Sequence, residues 1–406
     1  MGEIVVEQLK HEPLADQQVE LVERKGKGHP DSICDAIANC ASVALCDQYK
    51  KAFGRILHHN LDKMLLVAGR SAPRLGGGQI HEPMKLIFGD RGTALLGDQA
   101  IDLGEVVSEA AKAWVRANLR FVDPDRYLVF QNEIRPASAQ LTSLFDHASM
   151  RANDTSVATG FAPLSPTERV VLSLEKHMNS REFKAAFPET GEDIKVMAFR
   201  NHQQLHLTIA VAFVDRLVPT RAAYFRRKSE IADVVAPYVH STASEFERVH
   251  VEINTLDDPQ ADEGMYLTVL GTSAEGSDSG QVGRGNRANG LIASHRPQSI
   301  EAHAGKNPLS HVGKIYSYLT THIAQQIYSQ VAGLREVHVS LCSQIGRPID
   351  DPFVSSLKLV LAKGASLDDV KSPAESILQQ ELANIAAFTS QLASQDFYCH
   401  WEDRLT

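Results

Sequence analysis

Leu205, Leu207, Ile209, Val211 and Phe213 alternate with His206, Thr208, Ala210 and Ala212, the two-residue period of a strand with one face in a core. The pattern repeats at Val249, Val251 and Ile253, and again at Val337, Val339 and Leu341. Met64 to Val67, Lys85 to Phe88 and Tyr127 to Phe130 read as further strands. Residues 1–22 read as a strand followed by a polar connection. Helical spacing begins at Pro30, where Ile33, Ile37, Cys40 and Ala44 form one stripe, and Lys50, Lys51 and Gly54 mark the end. Residues 101–120, 222–240, 311–332 and 374–394 read as helices too. Ser165-Pro166-Thr167-Glu168 has capping-box spacing, with Ser165 as N-cap and Pro166 at the first helical position; that helix is expected to end before Pro188. Strand pairs followed by helices, rather than strict alternation, predict an α+β fold with several antiparallel sheets. No short repeat or low-complexity linker divides the chain, so its parts are expected to pack into one body.

Composition narrows the function more than the fold. At 406 residues there is room for two or three packed units. With 41 Lys and Arg against 50 Asp and Glu, the net charge is −9, so no nucleic-acid or membrane-surface partner is expected. A polyanionic ligand must instead be met by a local basic pocket. No apolar run reaches spanning length and the first residues carry no signal pattern, which points to a cytoplasmic protein. The five cysteines form no Cys-x-x-Cys pair and fit reduced, mostly buried thiols rather than a zinc site.

Candidate chemistry lies in four pieces. Glu23-Arg24-Lys25-Gly26-Lys27-Gly28-His29-Pro30-Asp31-Ser32 combines free-turning glycines, cations and a proline that opens a helix. Asp31 falls in the first turn, where free N–H groups favour anions. The run suits phosphate, with Glu23 and Asp31 able to hold a divalent metal beside it; the alternative is a surface loop ahead of an amphipathic helix. In Glu192-Asp193-Ile194-Lys195-Val196-Met197, Asp193 and Lys195 share a face if the segment is a strand, or form an exposed ion pair at a strand end. Gly271 to Arg287 holds five glycines together with Asp278, Arg284 and Arg287. Freed N–H groups beside arginines suit phosphate or carboxylate. Ala304-Gly305-Lys306-Asn307-Pro308 adds a lysine on a turn before Ser310 to Tyr316.

Taken in series, these pieces resemble the archaeal type of S-adenosylmethionine synthetase (methionine adenosyltransferase). The likeness runs in one order through Glu23 to Ile37, Asp154-Thr155-Ser156 with Gly160-Phe161-Ala162-Pro163, Glu192 to Met197, Gly271 to Ile292, Gly305 to Tyr316 and Ser343-Gln344-Ile345-Gly346. The resemblance implies three similar sheet-plus-helix units around a pseudo-threefold axis, bounded near 1–125, 126–270 and 271–406 and interwoven. It implies a homodimer or dimer of dimers, packed sheet to sheet with active sites at the interface. ATP and L-methionine would be the substrates, Mg2+ would be required and K+ would activate. Methionine sulfur would attack C5′ of ATP, releasing triphosphate that is then cleaved to pyrophosphate and phosphate. His29, Lys195 and Arg284 would be catalytic; Asp193, Asp278, Lys306, Lys27 and Arg287 would bind substrate; Glu23 and Asp31 would hold Mg2+.

The chain departs from the family pattern in places. Arg135-Pro136-Ala137-Ser138 stands where a Gly-Gln-Gly-Ser loop is usual, Ala68-Gly69-Arg70 where Gly-Gly-His is usual, and Phe161 where Tyr is usual. These leave two alternatives open: a relative with altered amino-acid or nucleotide preference, and a non-catalytic nucleotide-binding relative. A generic kinase is disfavoured, since no Walker-type Gly-x-x-x-x-Gly-Lys-Ser/Thr is present.

Overall fold

In the computed structural model, which describes residues 2–137, 150–261 and 264–405, three large sheets carry most of the strands. The first runs Leu128–Asn132, Met84–Phe88, Met64–Val67, Gly280–Gln281. The central one runs Arg248–Ile253, Gln204–Val214, Thr190–Asn201, Val19–Lys25, Ile292–Ala293. The third runs Glu3–Leu9, Val354–Leu361, Leu334–Cys342, Val157–Ala162. The class is α+β, as the pattern predicts.

The sheets are mixed, which corrects the expectation of antiparallel ones. In each, the first pair named is parallel, while the pairs that follow are antiparallel. Alternation reveals which face is buried but not strand direction. Direction follows from the crossovers. The helix Leu103–Asn118 returns the chain from Met84–Phe88 to lay Leu128–Asn132 parallel beside it, and Arg221–Thr242 does the same in the central sheet.

Each sheet also holds a strand from a different part of the chain. Val19–Lys25, which leads into the helix Pro30–Phe53, lies in the central sheet, although that helix packs on the first. Val157–Ala162, ahead of the helix Pro166–Met178, lies in the third sheet, and Gly280–Gln281 lies in the first. The connections out of Val19–Lys25 and Gly280–Gln281 therefore run between sheets.

The helix Pro30–Phe53 starts with His29 as N-cap and ends at Gly54, whose φ of 72° is left-handed and whose N–H reaches Lys50 O. Ile33 and Ile37 are buried as predicted, but so are Cys34, Ala38, Ala41, Leu45 and Cys46, while Cys40 and Ala44 are only partly covered. Strands of the first sheet, the helix Leu103–Asn118 and Gly280–Gln281 surround it, so its apolar surface is wider than one stripe. Both arms of the Ser165–Glu168 capping box form, at 3.1 and 2.7 Å, worth about 1 kcal/mol. That helix breaks after Met178, and Ser180 caps a short second one, Arg181–Ala186. The stretch predicted over 374–394 divides at Asn384 into Leu367–Ala383 and Ile385–Leu392.

One face of the central sheet is open. Along one row of the register, Leu21 faces Phe199, Phe199 faces His206, and His206 faces His250. Leu21 and Phe199 are each 38 % exposed, and the His206 and His250 rings stack 4.8 Å apart. No helix among the described residues is long and apolar enough to cross a membrane.

Candidate active site

The site forms where the two inter-sheet connections meet. On Val19–Lys25 the pleat sends Arg24 inward to a buried pair with Glu175 at 2.6 Å, and sends Glu23 and Lys25 to the opposite face. Lys195 pairs with Lys25 in register, so it shares that face, where its Nζ lies 3.3 Å from Glu23 Oε1. The chain then passes close beneath the Glu192–Ile194 backbone, with Gly26 N–H on Ile194 O at 2.6 Å and Gly28 N–H on Glu192 O at 2.9 Å. A Cβ on Gly26 would sit 2.3 Å from Ile194 O, and one on Gly28 would sit 2.4 Å from Asp193 N. Only glycine permits this approach.

His29 is nearly buried, and its Nδ1 accepts the Asp31 N–H at 3.2 Å. That acceptor role leaves the proton of the neutral ring on Nε2. Its pKa is lowered to about 4, chiefly by burial; Asp31 opposes the shift, and Lys25, Lys195 and Arg284 add to it. The ring is thus a neutral donor among cations. Asp31 Oδ2 pairs with Lys25 Nζ at 3.0 Å, and Oδ1 accepts the Gln281 N–H at 2.9 Å. Lys25 Nζ also donates to Arg284 O at 2.7 Å. Arg284 itself is exposed, and its side chain makes no hydrogen bond or ion pair among the described residues.

Asp193 lies just inside. A register shift between Thr190 and Ile194 interrupts the strand there, so Asp193 is buried while Lys195 stays half-exposed. Its Oδ2 accepts Ser273 N–H at 2.8 Å, Ser273 Oγ–H at 2.6 Å and Tyr266 O–H at 3.3 Å. Burial raises its pKa to about 6 against those bonds, with a small contribution from the Asp278 charge. Asp278 is exposed on the adjacent turn, its N–H on Ser273 O at 3.0 Å.

The structure thus gathers His29, Asp31, Glu23, Lys195, Asp193, Asp278 and Arg284 around one point. Three predicted residues lie elsewhere. Lys27 is exposed and lines a cavity of ≈ 400 Å³ together with Lys25, Trp114 and Asn118. Arg287 turns back on its own loop, with Nη2 donating to Gly283 O at 2.5 Å and Gly285 O at 2.8 Å. Lys306 is 2 % exposed, paired with Glu301 and, at 3.5 Å, with Asp62. Around it the buried atoms Asn60 Oδ1, Asn153 Oδ1 and Ser310 Oγ have no hydrogen-bond partner among the described residues, a departure from the usual satisfaction of buried polar groups. The Asp154 and Ser343 pieces meet beside it, Ser343 Oγ donating to Asp154 O at 2.8 Å.

Lys25, Tyr266, Ser273 and Asp35 were missed from the sequence. Only Lys25 carried a signal, its two-residue spacing from Glu23 on a strand. Asp35, one turn beyond Asp31, accepts Gly283 N–H at 2.8 Å and Gly285 N–H at 3.1 Å. Burial raises its pKa to about 7, against those bonds and the Arg287 charge.

At the departures, Arg70 pairs with Glu82 at 2.8 Å and Arg135 with Glu133 at 2.8 Å, all exposed or half-exposed. Ser138 falls outside the described residues. Phe161 is buried under the Arg296 guanidinium at 4.2 Å.

This is an α+β enzyme site in which two lysines, an arginine and carboxylates surround a neutral imidazole. The comparisons make it specific: residues 2–396 match the S-adenosylmethionine synthetase (AdoMet synthetase) family, and the chain belongs to that family. S-adenosylmethionine synthase of Hyperthermus butylicus is 45% identical over 390 residues, spanning 93% of this chain and 95% of the relative. That of Pyrococcus furiosus is 45% identical over 387 residues, 94% of this chain and 95% of the relative. A solved structure, an unusual S-adenosylmethionine synthetase from Campylobacter jejuni, superposes with a TM-score of 0.61 over 91% of this chain and 89% of its own, at 14% identity. At that identity it speaks for the fold alone.

Proposed function

We propose that the chain makes S-adenosylmethionine from ATP and L-methionine by attack of the methionine sulfur on C5′ of ATP, with the residues gathered at His29 receiving the leaving triphosphate. A thioether sulfur is already nucleophilic, so no general base is needed. The demand is for preorganised positive charge and hydrogen-bond donors where negative charge grows. His29 Nε2–H is a donor of the right kind, and Lys195 and Arg284 neutralise the phosphates. Asp193 and Asp278 frame the nucleoside and the methionine amino group. The same cations then hold the triphosphate for cleavage to pyrophosphate and phosphate. The observation that carries this reading is the cluster beside His29, where Lys25 joins Asp31 at 3.0 Å and Arg284 O at 2.7 Å while Lys195 stands 3.3 Å from Glu23.

Glu23 and Asp31 offer carboxylate oxygens only, each now facing a lysine, and no cluster of three metal-ligating side chains occurs among the described residues. That fits Mg2+, which binds through one or two carboxylates plus substrate phosphates. When bound it would neutralise phosphate charge. K+ belongs to the reading as the family's usual activator, with no residue assigned to it.

Lys306 enters through a second copy. The open row of Leu21, Phe199, His206 and His250 suits sheet-to-sheet packing in a homodimer or dimer of dimers, which would bring the Lys306 cluster of one subunit toward the His29 group of the other. The three sheet-plus-helix units, near 1–125, 126–270 and 271–406 with strands exchanged, would surround a pseudo-threefold axis. The test is direct: purified protein with ATP, methionine, Mg2+ and K+ should form S-adenosylmethionine together with pyrophosphate and phosphate. Absence of S-adenosylmethionine would overturn the reading.

A further inference from the structure

The turn that carries Arg284 is tied down residue by residue. Asp35 takes the N–H groups of Gly283 and Gly285, one on each carboxylate oxygen, at 2.8 and 3.1 Å. Arg287 holds the carbonyls of the same two glycines. Lys25 Nζ holds Arg284 O. The Asn286 amide pairs with the Lys25 backbone in both directions, at 2.9 and 2.8 Å. What these contacts leave untied is the Arg284 guanidinium. The fit is close, since a Cβ on Gly285 would lie 2.2 Å from Asp35 Oδ2.

We propose that Asp35 is a positioning residue for catalysis: from the first helix it clamps the Gly283-Arg284-Gly285 backbone and so aims Arg284 at the His29 side of the site. This rests on the reading that Arg284 neutralises the triphosphate. Two converging N–H donors need two acceptors. A carboxylate supplies both, whereas an amide at that position would turn an NH2 toward one of them. Asp31 assists from one turn earlier, through Gln281 N–H at 2.9 Å, so the helix face bearing both acids is the bed on which the turn lies.

Asp35→Asn and Gly285→Ala break the clamp from opposite sides, the second keeping the carboxyl and displacing the turn, so that failure of either variant to fold leaves the other. Each should lower kcat roughly 10- to 100-fold, the scale for a catalytic group moved by about an ångström, with the methionine KM nearly unchanged and faster amide exchange at residues 283 and 285. In an Arg284→Ala background neither should lower kcat further. Losses that multiply in the double variants, or full activity in both clamp variants while Arg284→Ala is impaired, would overturn the proposal. Full activity of Arg284→Ala alone would instead locate the error in the triphosphate reading and remove the proposal with it.

Discussion

Lys195 and Lys306 both face carboxylates, yet the first side chain is 39 % exposed and the second 3 %. Lys195 stands at the rim with Glu23, in a contact that contributes at most about 1 kcal/mol and leaves its charge available to an incoming anion. Lys306 is enclosed with Asp62 and Glu301, where desolvation offsets much of the attraction and removal of one partner strands the others. Charge at an open rim and charge in an enclosed cluster thus have different surroundings. The His29 group has its backbone fixed but leaves Lys195 half-exposed and the Arg284 guanidinium untied, whereas around Lys306 the cation is enclosed and neutral polar atoms are left over.

The largest effects should fall on the open group. His29→Ala and Lys195→Ala should each reduce turnover by about 10²- to 10³-fold, the scale for losing one preorganised charge-stabilising group. Their melting temperatures should stay near that of the parent, and full activity in both would contradict the site. Lys306→Met should do the reverse to stability. By analogy with breaking a buried pair it should lose about 3 kcal/mol, at the low end because Glu301 is partly exposed, and denaturant titration reads this directly.

A finer contrast comes from pH. The His29 pKa is lowered to about 4 by burial first and then by its cationic neighbours. The unfolded chain therefore takes up this proton first. The stability it contributes is present above about pH 6.5 and is lost as pH falls from there toward 4. Inorganic triphosphate should oppose the cations and raise the ring's pKa, so its binding at pH 5.5 should take up protons, seen as buffer-dependent heat in calorimetry. His29→Asn should abolish that uptake. His311, held well below its ordinary value chiefly by burial and beside Lys306, should be silent, and His311→Asn should leave the uptake intact. The smallest effect should be that of Lys27→Ala, within about 0.5 kcal/mol or roughly twofold, against a far larger loss for Lys25→Ala. Equal losses would show that the exposed Lys27 carries as much of the site as the strand lysine.

Much of this was legible in the sequence, and for local reasons. The helix from Pro30, its glycine stop, the Ser165 capping box and the Leu205 strand depend on neighbours within a few residues, and local pattern records those. Strand direction and exchange depend on where the chain returns, which periodicity does not encode. Both Lys25 and Lys27 stand in the motif, and only the strand Val19–Lys25, with its two-residue period, puts Lys25 beside Glu23. The sealing of Lys306 is set by Asp62, far away in the chain, as is the grip of Asp35 on the Gly283 turn. Glu301 lies near Lys306 in the chain, but nothing near either residue announces these distant partners.

The parallel pairing of Glu3–Leu9 with Val354–Leu361 has a consequence for how the protein is made. Glu3–Leu9 leaves the ribosome well before Val354–Leu361 and must wait for it before the pairing edge is satisfied. Through most of synthesis the segment around Ile4 and Val6 is therefore an unpaired β-edge, open to stray pairing. Any fusion or truncation at that end acts on the final closure of the third sheet rather than on the helix and loops that hold the chemistry.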